Sequence, residues 1–229
     1  SGHAELNTQM FTDIKACRPE KPMLITPKAL VKRNLLNLEG QAAMIHSFAH
    51  IEFNAINLAW DLICRFQDMP RTFYADWAQV ALEETRHFNL LRDKLKEMDY
   101  DYGDFPAHAG LWKIAEETRH DILLRLAVVP RIMEARGLDV TPDLINRFKE
   151  IKDDKTVSIL EVILEEEIGH VRIGSKWFHY VCEKNKQDPD ITFKKILDQY
   201  MPATTKKLNK AARIKAGFSQ SELDYMLSC

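Results

Sequence analysis

Apolar residues recur every three to four positions along most of this chain, the period of a helix with one buried face, and the alternation of a half-buried strand is absent. Thr26 before Pro27 reads as a helix N-cap with proline at the first helical position. The pattern is strongest over 38–67, where the stripe runs Leu38, Ala42, Ile45, Ala49, position 52, Ile56, Ala59 and Ile63. "DMPRT" at 68–72 marks a turn, and the next stripe is Phe73, Trp77, Val80 with Ala81, position 84, Phe88, Leu91 and Leu95. A loop rich in Tyr, Asp and Gly follows at 98–110. A third helix is predicted over 111–136, kinked at Pro130 and stopped by Gly137, and "DVTPD" restarts a short helix to about 152. The fourth long helix is predicted over 154–184, with the stripe Val157, Leu160, Ile163 with Leu164, position 167, Val171, Gly174, Phe178 and Val181. The predicted fold is all-α and a single domain. A four-helix bundle spans 35–187, carrying an N-terminal appendage, 1–34, and a C-terminal helical appendage, 188–229.

The positions that break the stripes carry the chemistry. They are Glu52, Glu84 and Glu167, each standing where its helix otherwise places a core side chain. An ionised carboxylate removed from water costs several kcal/mol unless something compensates it, and a divalent metal does so. Glu84 with His87 and Glu167 with His170 are three apart, so each pair converges from one helical face. Glu83 and Glu166 lie about 100° round and are expected to face neighbours or water. From Glu52 to Glu84 is 32 residues and to His87 is 35; from Glu134 to Glu167 is 33 and to His170 is 36. The chain therefore carries one Glu…Glu-x-x-His unit twice, and two antiparallel hairpins place the six groups at one height. The pentapeptide EETRH of 83–87 returns at 116–120, but Glu116, Glu117 and His120 precede Glu134 by 14 to 18 residues on the same predicted helix. That is roughly 21–27 Å at the helical rise, too far to share the site, so they read as a surface or helix-start cluster.

Composition narrows the partners. Lys plus Arg number 32 against 34 acids, so the chain as a whole has no field favouring nucleic acid or a membrane surface. Its four cysteines, Cys17, Cys64, Cys182 and Cys229, are dispersed, which argues against a zinc ribbon, a rubredoxin-type iron site or a disulfide framework. No apolar run approaches the ~18 residues of a membrane span, and the chain opens without a charged and then apolar leader. The expected location is the cytoplasm.

The paired Glu and Glu-x-x-His units across two helical hairpins resemble the ferritin-like dimetal-carboxylate proteins. Within that superfamily "AHIEFNAINLAWD", "LEETRHF", "VPRIMEARGLDVTP", "EEEIGH" and the tail "LNKAARIKAGF" look like bacterial ferritin-like proteins of unknown function, related at a distance to the tRNA isopentenyladenosine hydroxylase. The resemblance covers about 35–185. It implies that Glu84 and Glu167 bridge two metal ions, with Glu52 and His87 completing one and Glu134 and His170 the other. Glu134 sits just before the expected break at Gly137, where the resemblance fits least well.

Four carboxylates and two imidazoles make a hard, oxygen-rich site suited to two iron ions, or to manganese, rather than to structural zinc. A ferrous pair with open positions can give dioxygen or peroxide two electrons, so the expected activity is that of an oxidoreductase or hydroxylase. Its substrate and electron donor are not named by the residues. Iron handling (ferroxidase activity or peroxide removal) and a metal-free helical adaptor are the rival expectations, and a homodimer is compatible with either. Metal-bound histidines normally donate their second ring nitrogen to a carboxylate or carbonyl, which spacing alone does not identify. His46 and His50 share no face with Glu52 and read as packing or outer hydrogen-bonding groups. Arg86 and Arg172, close in sequence to His87 and His170, are candidates to pair with excess carboxylate. Trp60, Trp77, Trp112 and Trp177 read as core filling. Lys206, Lys207, Lys210, Arg213 and Lys215 form a basic run that reads as a solvated helix face, with RNA phosphate as the alternative.

Overall fold

The architecture comes from a computed structural model describing residues 18–31, 34–200 and 207–228. Cys17, Lys206 and Cys229 lie outside the described residues, as does most of the N-terminal appendage. Thr26 heads only a single 3₁₀ turn, Pro27–Ala29, and its side chain makes no cap. The first true helix, α1 (Leu38–Arg65), starts where Asn37 accepts a hydrogen bond from the Gly40 amide at 2.7 Å. It runs back along α2 (Arg71–Glu97) as an antiparallel hairpin, with the chain then crossing 98–109 as a loop. In that loop Ala107 forms an isolated parallel bridge with Leu24, the one strand-like pairing among the described residues.

The third helix departs from the predicted one. It is built as α3 (Gly110–Glu117), a break, α4 (Ile122–Leu126), a π-helical stretch Ala127–Glu134 and α5 (Ala135–Glu150). The break sits at 118–121, where Asp121 caps the amides of Leu123 and Leu124, and not at Gly137. Gly137 does not stop the helix because it is not among the glycines at positive φ, Gly103 and Gly217, that a left-handed C-terminal cap requires. Pro130 sits in a widened turn: a residue without an N–H removes one rung of the α ladder, and the π-helix absorbs that loss. Pro142 is likewise held inside α5. The Leu138 carbonyl it leaves without an amide four residues on accepts from the Asn209 side chain of the tail at 3.2 Å. Glu116 and Glu117 are exposed as expected, but they lie in the last turn of α3 rather than at a helix start.

The chain then returns through α6 (Asp154–Lys184), capped by Asp153, which packs along α5, the π-helical stretch and α2. The tail forms α7 (Pro189–Tyr200), α8 (Lys210–Lys215) and α9 (Gln220–Ser228). Arg213, read as part of a solvated face, is fully buried instead: it pairs with Asp139 and donates to the Ala135 carbonyl. Lys207 pairs with Asp143, so α5 carboxylates take up part of the basic run. Leu38 and Trp60 are also exposed, at 55% and 50%, because α1 turns those two positions away from its neighbours. No helix among the described residues is long and apolar enough to cross a membrane.

The apolar interior of this helical bundle falls into two main clusters. One gathers Ala59, Leu62, Phe73, Trp77, Val171 and Phe178 with the tail. The other gathers Ala42, Ile45, Leu91, Leu95, Leu160 and Ile163. Each of α1, α2 and α6 contributes to both, and the polar positions of its stripe lie between the two contributions.

Candidate metal centre

That polar layer holds Glu52 from α1, Glu84 and His87 from α2, and Glu167 and His170 from α6. Glu52, Glu84 and the two histidines are buried. Glu52, Glu84, His87 and Glu167 each bring one ligand atom within 4.8 Å of the others, a grouping that can hold a metal ion. His87 Nδ1 stands 3.2 Å from Glu52 Oε2 and 3.5 Å from Glu84 Oε2. His170 presents Nδ1 in the same sense, 3.0 Å from Glu84 Oε1 and 3.7 Å from Glu167 Oε1. The two imidazole rings lie 5.6 Å apart. His170 and Glu134 both stand outside the four-residue grouping; Glu134, at the end of the π-helical stretch, is close enough for Glu167 and Glu52 to act on it electrostatically.

The electrostatics are those of acids pressed together. Burial raises Glu84 to about 7, and the charge of Glu167 adds to it. Burial likewise pushes Glu134 up to about 8, again with Glu167 contributing. Glu52 is driven well above the carboxylate range by burial and then by Glu84. For His170, burial opposes the charged form, but Glu167, Glu83 and Glu84 together outweigh it and hold the ring well above its ordinary value. Glu84 Oε2, Glu167 Oε2 and His170 Nδ1 are buried without an aligned hydrogen bond among the described residues, the 3.0 Å approach of His170 Nδ1 to Glu84 Oε1 being an ion-pair contact off the hydrogen-bond direction. Native interiors leave few such atoms unsatisfied. Three of them converging from two helices, all oxygen or imidazole nitrogen, match the donor set of a hard divalent cation.

The groups that orient the histidines escaped the sequence reading. His87 Nε2 bonds Glu166 Oε2 at 2.8 Å, and His170 Nε2 bonds Glu83 Oε2 at 2.8 Å. The His170 bond holds Glu83 well below the usual carboxylate range. Glu83 and Glu166 each directly precede a candidate ligand, so one signal was available: both units read Glu-Glu-x-x-His. The 100° offset that turns each outer glutamate off its own helix's ligand face aims it at the neighbouring helix's histidine. Of the outer candidates named from sequence, Arg86 pairs with Glu166. Arg172 is exposed, with no ion pair among the described residues. His50 faces the 98–110 loop instead of the cluster. Burial lowers it to about 4, keeping the ring neutral; Nδ1 accepts from the Tyr102 hydroxyl at 2.8 Å while Nε2 donates to the His108 carbonyl at 3.2 Å. His46 accepts from the Gly103 amide at 2.9 Å.

A pH dependence follows. Glu84 and Glu134 hold protons up to about 7 and 8 in the folded chain, against 4.5 for an unperturbed glutamate. The folded state therefore binds more protons than the unfolded state across that window, so metal-free stability falls as pH rises through it. His170 acts in the same direction above 6.5. A metal ion displaces these protons, and apparent affinity rises up to about tenfold per pH unit for each proton released. The rise in melting temperature on adding Mn(II) is expected to be larger at about pH 8 than at about pH 5.5. A shift that does not vary with pH contradicts this proton count.

A protein-family model described as "Protein of unknown function (DUF455)" matches residues 3–224. A Haemophilus influenzae (strain Rd) protein described as "Uncharacterized protein" is 47% identical over 219 residues, covering 92% of this chain and 76% of that one. No solved structure matches.

Proposed function

We propose that this chain, which belongs to the DUF455 family of proteins of unknown function, holds two divalent metal ions in its polar layer and uses them for oxidation chemistry. The observation that carries the reading is the set of buried, unsatisfied carboxylate and imidazole atoms between the two apolar clusters. An adaptor without metal has no use for such a layer, which costs stability at neutral pH. The resemblance of the two Glu…Glu-x-x-His units to ferritin-like proteins supports the assignment of roles. On that resemblance Glu52, Glu84 and His87, with Glu134, Glu167 and His170, would hold the ions, Glu84 and Glu167 being shared by both halves of the site. The oxygen-rich donor set favours iron, with manganese second.

When bound, a ferrous pair supplies two electrons to dioxygen or peroxide, and an external donor restores them. The chain's own side chains supply the rest. The carboxylates of Glu52, Glu84, Glu134 and Glu167 offset the cationic charge. The apolar clusters above and below keep bulk water from the layer. Glu83 and Glu166 stand as acceptors for the Nε2 protons, so each imidazole would meet a metal with the Nδ1 it turns inward, giving up any proton held there. Their side chains are 29% and 26% exposed, which supports access from solvent along the seam between α2 and α6. The substrate and the electron donor stay open in this proposal.

The test is anaerobic loading with Fe(II) followed by rapid mixing with dioxygen or hydrogen peroxide. A new charge-transfer absorption, appearing faster than oxidation of the same iron in buffer, is the expected result. Ferrous iron that stays unreacted, or reacts no faster than in buffer, would falsify the oxidation reading.

A further inference from the structure

The outer glutamates are crossed, and they are not equivalent. Glu83 is carried by α2 but holds His170 of α6; Glu166 is carried by α6 but holds His87 of α2. Each candidate half-site therefore takes its imidazole from one helix and that imidazole's orientation from the other. The two glutamates differ in what backs them. Glu166 is paired with the guanidinium of Arg86, whereas Glu83, besides its bond from His170, accepts from the neutral amide of Gln79 at 2.8 Å and has no Lys or Arg partner among the described residues. A carboxylate behind an imidazole makes the ring a better donor to a metal, and a cation on that carboxylate weakens the effect.

We propose that Glu83 and Glu166 are positioning residues acting across the α2–α6 seam, and that they make the His170 half-site the tighter of the two. This rests on the metal reading above. The fully charged Glu83 polarises His170 more than the Arg86-compensated Glu166 polarises His87, so a first divalent ion goes to His170. Both rings bind through Nδ1, because the crossed bonds fix the proton on Nε2.

The experiment titrates the intact 229-residue chain with Zn(II), a diamagnetic probe, and follows the ring nitrogens of each histidine by NMR. In the wild type the His170 ring should shift at the first equivalent and the His87 ring at the second, with Nε2 protonated in both. Glu83→Gln should weaken the His170 half-site by about 10- to 100-fold and leave His87 unchanged, reversing the order of filling. Glu166→Gln should do the same to His87 alone. Arg86→Gln should strengthen the His87 half-site by up to about fivefold, the scale of a surface ion pair. Both outer glutamates are partly exposed and glutamine is isosteric, and a melting curve on each variant confirms folding. The proposal is overturned if either glutamine variant weakens the half-site on its own helix, if both half-sites weaken equally, or if Nδ1 carries the proton. If neither ring of the folded wild type responds to Zn(II), the metal reading itself fails, and the crossed arrangement with it.

Discussion

Replacing Glu84 by glutamine is expected to abolish tight metal binding and, in the same protein, to raise the melting temperature of the metal-free form at about pH 8. The two effects share one cause. Glu84 is 1% exposed, lies amid Glu52, Glu167 and two imidazoles, and has one oxygen without a hydrogen bond. Its ionised form is favourable only when a cation stands beside it, and burial holds its protonation up to about 7 without one. Glutamine keeps the shape and removes the charge, so the metal-free fold gains on the order of 1–3 kcal/mol at pH 8. That gain shrinks as pH falls and vanishes below about pH 4.5, where the acid is protonated in the unfolded chain as well. Removing an outer partner of a ligand typically costs 10- to 100-fold in affinity. Loss of Glu84, which the proposed role makes a ligand shared by both ions, should therefore exceed about 100-fold. Thermal melts at the two pH values, with and without Mn(II), read both effects. Equal loading of wild type and variant contradicts a ligand role for Glu84, and a destabilised metal-free variant contradicts the electrostatic account.

The largest loss of stability is expected from Glu222→Ala, far from the cluster in sequence. Arg131 lies fully buried in the π-helical stretch, its guanidinium carbon 4.6, 4.3 and 4.7 Å from the ring centres of Phe178, Phe193 and Phe218. Its Nη2 donates to both oxygens of Glu222 on α9, at 2.9 and 2.7 Å, and Nε donates to Ser175 at 3.1 Å. Truncating Glu222 strands a buried cation, which costs about 3–5 kcal/mol. For a chain of this length that is a fall of roughly 6–20 °C in melting temperature. A matched surface change, Glu161→Ala opposite Lys149, should cost less than about 1 kcal/mol. Because Arg131 stands three residues before Glu134, the stability loss should be accompanied by weaker metal retention. Melting of the two variants side by side decides the matter, and equal, small shifts would mean that the tail does not anchor the π-helical stretch.

Much of this arrangement was legible in the residues, because helical periodicity reports burial directly. The stripes of α1, α2 and α6 are buried almost throughout, and Glu52, Glu84 and Glu167 were conspicuous as acids in apolar stripes. The third helix was misread for a local reason. Pro130 and Pro142 are breakers by intrinsic preference, yet tertiary contacts override them, and Gly137 stays within the helix. Gly174 leaves no side chain where Pro130 packs: a Cβ there would lie 2.6 Å from the Pro130 Cβ. Asn209 takes the carbonyl freed at Leu138. Such compensation comes from residues tens of positions away and leaves no periodic trace. The buried arginines were illegible for the same reason. Arg131 and Arg213 look like surface charges until Glu222, Asp139 and the phenyl rings are brought to them. Glu83 and Glu166 were nearer to being readable: the doubled Glu-Glu was visible, and only the partner helix that each addresses was not.

Elemental analysis of the intact 229-residue chain, loaded anaerobically with Fe(II) and dialysed against metal-free buffer, tests the central claim most directly. Two buried half-sites predict about two iron ions retained per chain, falling to background when Glu84 and Glu167 are both changed to glutamine. Wild-type protein that keeps no more metal than this double variant would contradict the account.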